Sequence, residues 1–372
     1  MNIKSLLLGS AAAMVAASAA QAADAIVYEP EPVEYVRVCD AYGAGFFYIP
    51  GTETCLAISG YVRMQVGGET WKNAGDSASY LAAFSAATND AVDGYAVRTR
   101  GRVNFDARSD TEWGTLRSYV RIQGTWGTNT DGAVSFDQAY IELGGLRLGY
   151  TESAWAQSQR GGVSMFSGSH SDTGMSYGYQ QRHLIAYTFG GNGFAATVSV
   201  EHDDDGALGT VGSANAADWV PDVVGVVSYN AGWGGVWAKA AYDSDASIAA
   251  GRQGEWAAQL GMQYNIPNMN GSSLRLIGYY ASEDNAYAVG SEFSILASYN
   301  HVFTNTFSAS VGFQYFNDTN YGAVGSPDAY AAELSMIWTP VQNFEVRSEL
   351  GYTKEDALDG TFSGYIRFTR YF

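Results

Sequence analysis

From Leu56 to Phe372, apolar and polar side chains alternate in runs of about ten residues, with turn-rich stretches between them. Strict alternation marks a strand with one apolar and one polar face. Sixteen such runs can be read: 56–66, 95–108, 112–124, 133–144, 146–151, 183–190, 193–202, 221–230, 234–243, 254–266, 272–282, 291–302, 305–316, 328–339, 342–352 and 361–372. The intervening stretches are long and short in turn. Long ones cover 67–94, 125–132, 152–182, 203–220, 244–253, 283–290, 317–327 and 353–360. Short ones include Ser109-Asp110-Thr111, Gly144-Gly145, 190–193 and Thr339-Pro340-Val341. An up-and-down barrel crossing an outer membrane has this asymmetry, short turns on the periplasmic side and longer loops outside. The pattern therefore predicts an all-β chain of sixteen candidate strands, with the loop asymmetry of an antiparallel transmembrane β-barrel. Pro30, Pro32, Pro50, Pro221, Pro267, Pro327 and Pro340 fall before the runs or at their edges, as a residue without an N–H must in a ladder.

The faces of the runs set the orientation. Arg98, Arg100 and Arg102 share one face, and Thr99, Gly101, Val103 and Phe105 share the other. Arg117, Tyr119, Arg121 and Gln123 oppose Leu116, Val120 and Ile122; Tyr61, Arg63 and Gln65 oppose Val62, Met64 and Val66. In the last run Phe362, Gly364, Ile366 and Phe368 lie on one face, with Ser363, Tyr365, Arg367 and Thr369 on the other. An Arg facing lipid at the midplane costs about 2–4 kcal/mol, so three on one strand would cost roughly 6–12 kcal/mol. In a water-filled channel, unit charges about 6.6 Å apart repel by only ~0.6 kcal/mol. The arginines are therefore expected to face a wet lumen and their neighbours to face lipid. The competing reading is a soluble sandwich with solvated arginines, which alternation by itself allows. The run count and the loop asymmetry favour the barrel. Trp113, Tyr150, Tyr229, Tyr242, Tyr280, Tyr299, Trp338 and Tyr352 stand at run ends, where an interfacial girdle belongs.

Composition removes other classes. Asp+Glu number 38 against 20 Lys+Arg, a net charge of -18. That balance, with no basic patch, argues against nucleic-acid binding, which requires phosphate neutralisation. A hydrophobic content of 47% is too high for a disordered acidic tail. Beyond the first residues, no apolar stretch is long enough for a transmembrane helix. Met1–Ala22 reads as an export signal: Lys4 is the positive end, Leu6 to Ala17 the apolar run, and Ala20-Gln21-Ala22 the small-x-small site. Cleavage between Ala22 and Ala23 is expected. Residues 23–55 then form an acidic, proline-punctuated arm and a cysteine loop, and 56–372 the barrel.

Cys39 and Cys55 enter an oxidising compartment, flanked by Tyr42-Gly43-Ala44-Gly45 and Pro50-Gly51. No His or second cysteine pair lies nearby, which favours a disulfide over a metal pair or two free thiols. A loop of about 15 residues contributes roughly 3 kcal/mol in the chain-entropy model.

Three N-terminal stretches carry a resemblance. They are Pro32-Val33-Glu34-Tyr35-Val36-Arg37-Val38-Cys39-Asp40, then Gly45-Phe46-Phe47-Tyr48-Ile49-Pro50-Gly51-Thr52-Glu53-Thr54-Cys55-Leu56, then Ile58-Ser59-Gly60-Tyr61-Val62-Arg63. The chain resembles the alphaproteobacterial porin family of outer-membrane general diffusion porins. The resemblance implies a sixteen-stranded barrel, a homotrimer and a third loop folded into the lumen. Segment 152–182 matches that loop in position and length. An infolded loop narrows a pore that sixteen strands leave wide. The expected constriction sets Arg63, Arg98, Arg100, Arg102, Arg117 and Arg121 on the wall and Glu152 and Asp172 on the loop, with Arg160 and Arg182 near its ends. Phe372, closing an alternating run, resembles the signal read by the barrel-assembly machinery, although Arg370 stands where that signal carries an aromatic or apolar residue.

No catalytic, metal or cofactor site is expected. His170, His183, His202 and His301 are scattered. His202-Asp203-Asp204-Asp205 reads as a solvated charge run in preference to a divalent cation site. Gly190-Gly191-Asn192-Gly193 joins two strands and opens no helix, so it is no nucleotide fingerprint. The expected function is passive diffusion of small hydrophilic solutes and ions across the bacterial outer membrane. A sugar- or oligosaccharide-specific channel is the alternative, and a barrel enzyme or adhesin a third. Expected partners are solutes, outer-membrane lipid, two further copies and the assembly machinery, with no nucleic acid.

Overall fold

The computed structural model describes residues 37–69, 94–127, 132–172, 175, 178–202, 219–244, 254–269, 271–283, 285–288, 290–319, 326–356 and 358–372. The export segment Met1–Ala22, the Ala22/Ala23 junction and Asp203-Asp204-Asp205 lie outside them. The chain divides into Met1–Val38 and Cys39–Phe372. The described strands all lie in the second unit.

They are β1 Phe46–Tyr48, β2 Cys55–Glu69, β3 Gly94–Thr111, β4 Gly114–Trp126, β5 Val134–Leu143 and β6 Leu146–Glu152. Two very short strands come next, β7 Gln159–Arg160 and β8 Val163–Ser164. Then come β9 Gln181–Gly191, β10 Phe194–Glu201, β11 Asp222–Ala231, β12 Gly234–Asp243, β13 Glu255–Asn265 and β14 Ser273–Ala281. The last five are β15 Phe293–Thr304, β16 Phe307–Asn317, β17 Ala329–Val341, β18 Phe344–Glu355 and β19 Thr361–Tyr371.

Strands β2–β6 and β9–β19 pair antiparallel with their neighbours and close into a sixteen-stranded barrel. Strand β6 pairs with β9 across the third loop, and β19 pairs with β2 from Tyr371↔Tyr61 to Ser363↔Glu69. Closure gives each of these sixteen strands a partner on both sides. At the seam, Phe372 N–H donates to Gly60 O at 3.1 Å and Gly60 N–H to Phe372 O at 3.0 Å. A Cβ on Gly60 would stand 2.1 Å from Arg102 O and 2.9 Å from the Phe372 ring. Only glycine fits there.

The observed strands track the alternating runs to within a few residues. Asn192 and Gly193, with φ of 54° and 80°, make the two-residue turn joining β9 to β10, the backbone that Asn-Gly favours. Pro340 departs from expectation. It lies inside β17, between Trp338 and Val341, where the register with β18 shifts. The irregularity frees this position from the ladder, so the missing N–H costs no bond there.

The faces are inverted relative to a soluble protein. Val62, Met64, Leu260, Ile295, Phe313, Leu350 and Phe368 point outward and are exposed, while Thr197, Gln259, Ser298, Gln314 and Arg367 point inward and are buried. That is the pattern of a wall between lipid and a polar interior. Trp113, Tyr229, Tyr280 and Trp338 are exposed near strand ends.

Cys39 and Cys55 form a disulfide, with Cα atoms 6.0 Å apart. The bond packs with Phe46, Tyr42, Tyr48 and Ala57 in a small cluster. Strand β1 pairs with the first residues of β2, Phe46↔Ala57 to Tyr48↔Cys55. Tyr42 O–H donates to Asp110 at 2.7 Å, and the Arg108 guanidinium lies 5.0 Å from the Phe46 ring centre. The hairpin is thus fixed to the short-turn end of β3.

Candidate pore constriction

After β6 the chain leaves the wall and runs through the lumen before rejoining it at β9. Its bonding partners mark the inward course. Ala154 N–H donates to Glu201 Oε1 on β10 at 2.9 Å, and Ser164 N–H to Asn230 Oδ1 on β11 at 2.6 Å. Tyr279 O–H on β14 donates to Ser167 O at 2.8 Å. The His170 ring sits between Ser298 Oγ on β15 at 2.7 Å and Ser273 Oγ on β14 at 2.9 Å. Ser171 O–H donates to Glu333 Oε2 on β17 at 2.6 Å, and Asp172 N–H to Glu349 Oε1 on β18 at 2.8 Å. The Asp172 carboxylate pairs with Arg367 on β19. Loop 153–172 therefore lies against one side of the barrel, from β10 round to β19.

A dry core forms beneath it. Trp155 and Met165 of the loop are buried with Trp237, Leu296 and Phe316 of the wall. Each fully buried Leu, Met or Phe contributes about 1.5–3 kcal/mol, so this contact holds the loop without need of a ligand. A second stretch, 285–288, also turns inward. Tyr287 is 1% exposed, stands edge-on to Trp155 at 6.2 Å, and donates its hydroxyl to Asp222 at 2.8 Å. Sequence reasoning missed this loop. Tyr287 lies between Ala286 and Ala288, and no spacing in the segment singles it out.

The opposite side of the lumen is the β2–β6 wall. All six arginines expected there point inward and are partly buried. Arg102 reaches Asp137 at 3.5 Å and donates to Gln123 at 2.6 Å. Arg121 reaches the same Asp137 at 3.4 Å. Arg117 bridges Asp106 and Glu142, both at 2.8 Å. Arg100 donates to Thr125 at 2.9 Å. Arg63 and Arg100 are direct cross-strand partners, and Arg98 faces Gln65 one step along. Among the described residues no carboxylate forms an ion pair with Arg63, Arg98 or Arg100. Tyrosines lie under the guanidiniums. Arg63 stands 4.5 Å and Arg102 5.0 Å from the Tyr61 ring centre, and Arg117 5.1 Å from Tyr119. Such stacking holds a guanidinium by its face and uses none of its N–H groups.

The two acids expected on the loop part company. Glu152 ends β6 within electrostatic reach of Arg121 and Arg147. Asp172 pairs with Arg367 on β19, the strand next to β2, within electrostatic reach of Arg63. Arg160 lies in the short β7–β8 hairpin 3.7 Å from Glu142, and Arg182 on β9 reaches Asp222 at 3.5 Å. Glu333 and Glu349 are buried behind the loop and hold it. The wall's own acids, Asp106, Asp137 and Glu142, were not anticipated. Asp106 could have been found, since it continues the Arg98-Arg100-Arg102 face. Asp137 could not. The register between β4 and β5 shifts at Arg121/Ile122, and Asp137 and its neighbour Gln138 both turn inward. A bulge of this kind breaks the parity on which face assignment depends.

A family described as the porin subfamily matches residues 24–367. The chain belongs to that family. The porin Omp2b of Brucella canis is 37% identical over 398 residues, covering 100% of both chains. The Brucella suis form is 38% identical over 412 residues with the same coverage. Among solved structures, the outer-membrane channel DcaP of Acinetobacter baumannii superposes with a TM-score of 0.65 at 14% identity, over 87% of this chain and 99% of that one. The anion-selective porin from Comamonas acidovorans gives 0.56 at 13% identity, over 86% and 100%. The latter two likenesses establish the fold. This porin is an outer-membrane β-barrel of many crossings and a general diffusion channel.

Proposed function

We propose that the narrowest part of this porin's channel lies between loop 153–172 and the β2–β6 wall. Arg63, Arg98, Arg100, Arg102, Arg117 and Arg121 line one side, and Glu152 and Asp172 contribute the opposing charge. The observation that carries this reading is the placement of six guanidiniums across the lumen from an infolded loop. Rings of charged side chains set ion preference locally. The three arginines without a paired carboxylate among the described residues draw the constriction toward anions, although the chain's net charge is -18. A saccharide-specific channel would offer bare ring faces to the lumen. Tyr61, Tyr119 and Tyr140 are instead buried beneath guanidiniums, which favours passive diffusion.

In the same reading Met1–Ala22 is removed on export, 23–55 is a periplasmic arm with its disulfide loop, and 56–372 is the barrel. The mature protein is a homotrimer in outer-membrane lipid, inserted by the assembly machinery through the Phe372 end. A solved relative of this fold, OmpT of Vibrio cholerae, is described in a trimer form. Purified protein in a planar bilayer tests the proposal. Conductance should rise in proportion to salt, close in three equal steps, and ignore millimolar sugar. Saturable block by a sugar would replace it with the substrate-specific reading.

A further inference from the structure

Lys239 projects from the lumen face of β12 and is 2% exposed. Among the described residues it has no carboxylate partner. Its ammonium instead donates to Trp155 O at 2.7 Å, to Gln157 O at 3.4 Å and to Ser167 Oγ. The Ser167 hydroxyl gives its own proton to Trp155 O at 2.7 Å. The serine oxygen can therefore only accept from the lysine. An ammonium has three N–H donors and no acceptor, and three acceptors surround it.

Those acceptors come from two limbs of the infolded loop. Trp155 and Gln157 precede the β7–β8 hairpin, and Ser167 comes after it. One cation thus ties the outgoing limb to the returning limb and both to the wall. The neighbouring cation does something different. Arg275 on β14 lies 3.7 Å from the Phe166 ring centre and donates to Gly168 O at 2.7 Å and to Ser169 O. It grips the returning limb alone. Burying an ammonium away from any counter-charge is unfavourable, and filling this space would need only an apolar side chain. The donors are what the site uses.

We propose that Lys239 is a positioning residue of the channel, holding the two limbs of loop 153–172 at a fixed height over the arginine wall. The proposal rests on the reading that this loop bounds the constriction. Single-channel recordings of the full chain test it. Lys239→Met keeps the length and removes the donors. Open-channel current noise should rise several-fold, with excursions to sub-levels. Ser167→Ala leaves the lysine in place and should give a smaller rise of the same kind. A chemical rescue separates a donor role from mere packing. Lys239→Cys is unfolded with the Cys39–Cys55 bond intact, alkylated with 2-bromoethylamine to a lysine-like thioether, and refolded. That adduct should be as quiet as the parent, and the isosteric S-propyl adduct made with 1-iodopropane, which carries no N–H donor, should not. Quiet currents from Lys239→Met, or equal noise from the two adducts, would overturn the proposal. If Lys239→Met does not fold, Ser167→Ala and the adduct pair decide it. A parent that conducts with quiet variants removes only the role of the lysine. A parent that does not conduct removes the channel reading itself.

Discussion

Arg98, Arg100 and Arg102 stand on alternate positions of β3, and their effect on ion flow depends on where their counter-charges lie. Arg102 shares Asp137 with Arg121, so much of its field is cancelled close by. Arg98 and Arg100 carry no such partner among the described residues. Replacing all three with Gln should move the reversal potential toward cations, and an unchanged potential would show that they stand away from the constriction. Asp137→Asn should shift it the other way, by releasing Arg102 and Arg121. His170 gives a pH dependence. Burial, reinforced by the Arg275 guanidinium, lowers its imidazole to about 3, so the ring stays neutral between Ser273 and Ser298. In an unfolded chain it takes a proton near about pH 6.5. The unfolded state therefore binds more protons below that pH. The stabilisation is complete above about 6.5 and declines as pH falls toward 3. Protease cutting within loop 153–172 should increase between pH 7 and pH 4, and His170→Asn should flatten that increase.

At the level of strands and loops, alternation made the barrel legible because each wall strand divides lipid from water along its whole length. A residue's neighbours two positions away then report its face. Where that condition fails, so does the reading. Strand β1 is too short to alternate, and β7 and β8 lie inside a loop with protein on most sides. The inward position of residues 285–288 depends on Tyr287 meeting Trp155 and Asp222, contacts that lie far apart in the chain. The bulge at Asp137 and Gln138 moves one acid onto the wrong parity. The seam offers a sharp test at this scale. Gly60→Ala places a methyl group against Arg102 O and the Phe372 ring, whereas a Cβ on Gly101 meets nothing within 4 Å. Gly60→Ala should lower the yield of heat-modifiable, fast-migrating barrel on semi-native gels, and Gly101→Ala should leave it unchanged. Equal yields would show that the seam yields to the added carbon. The disulfide acts on a smaller unit. Replacing Cys39 and Cys55 with Ser should release up to roughly 3 kcal/mol of chain-entropy restraint. The expected signature is faster amide exchange at Phe46–Tyr48, with exchange in β10–β18 unaltered.

Across the molecule, the charge that governs transport and the charge of the chain are separate quantities. The six arginines assigned to the constriction lie on β2–β4, while buried acids such as Glu333 and Glu349 are engaged in holding the loop. The loop's position against β10–β19 also means that inward-facing residues are of two kinds. Those of β2–β6 meet water and whatever is dissolved in it. Those of β10–β19 beneath the loop meet other side chains, as the interior of a globular domain does. Permeability can therefore be altered by changing one flank of the cylinder with little harm to assembly, whereas equivalent changes on the other flank are felt first as misfolded protein. The adaptable surface of this conduit is roughly a half-shell, set by where a single stretch of backbone comes to rest.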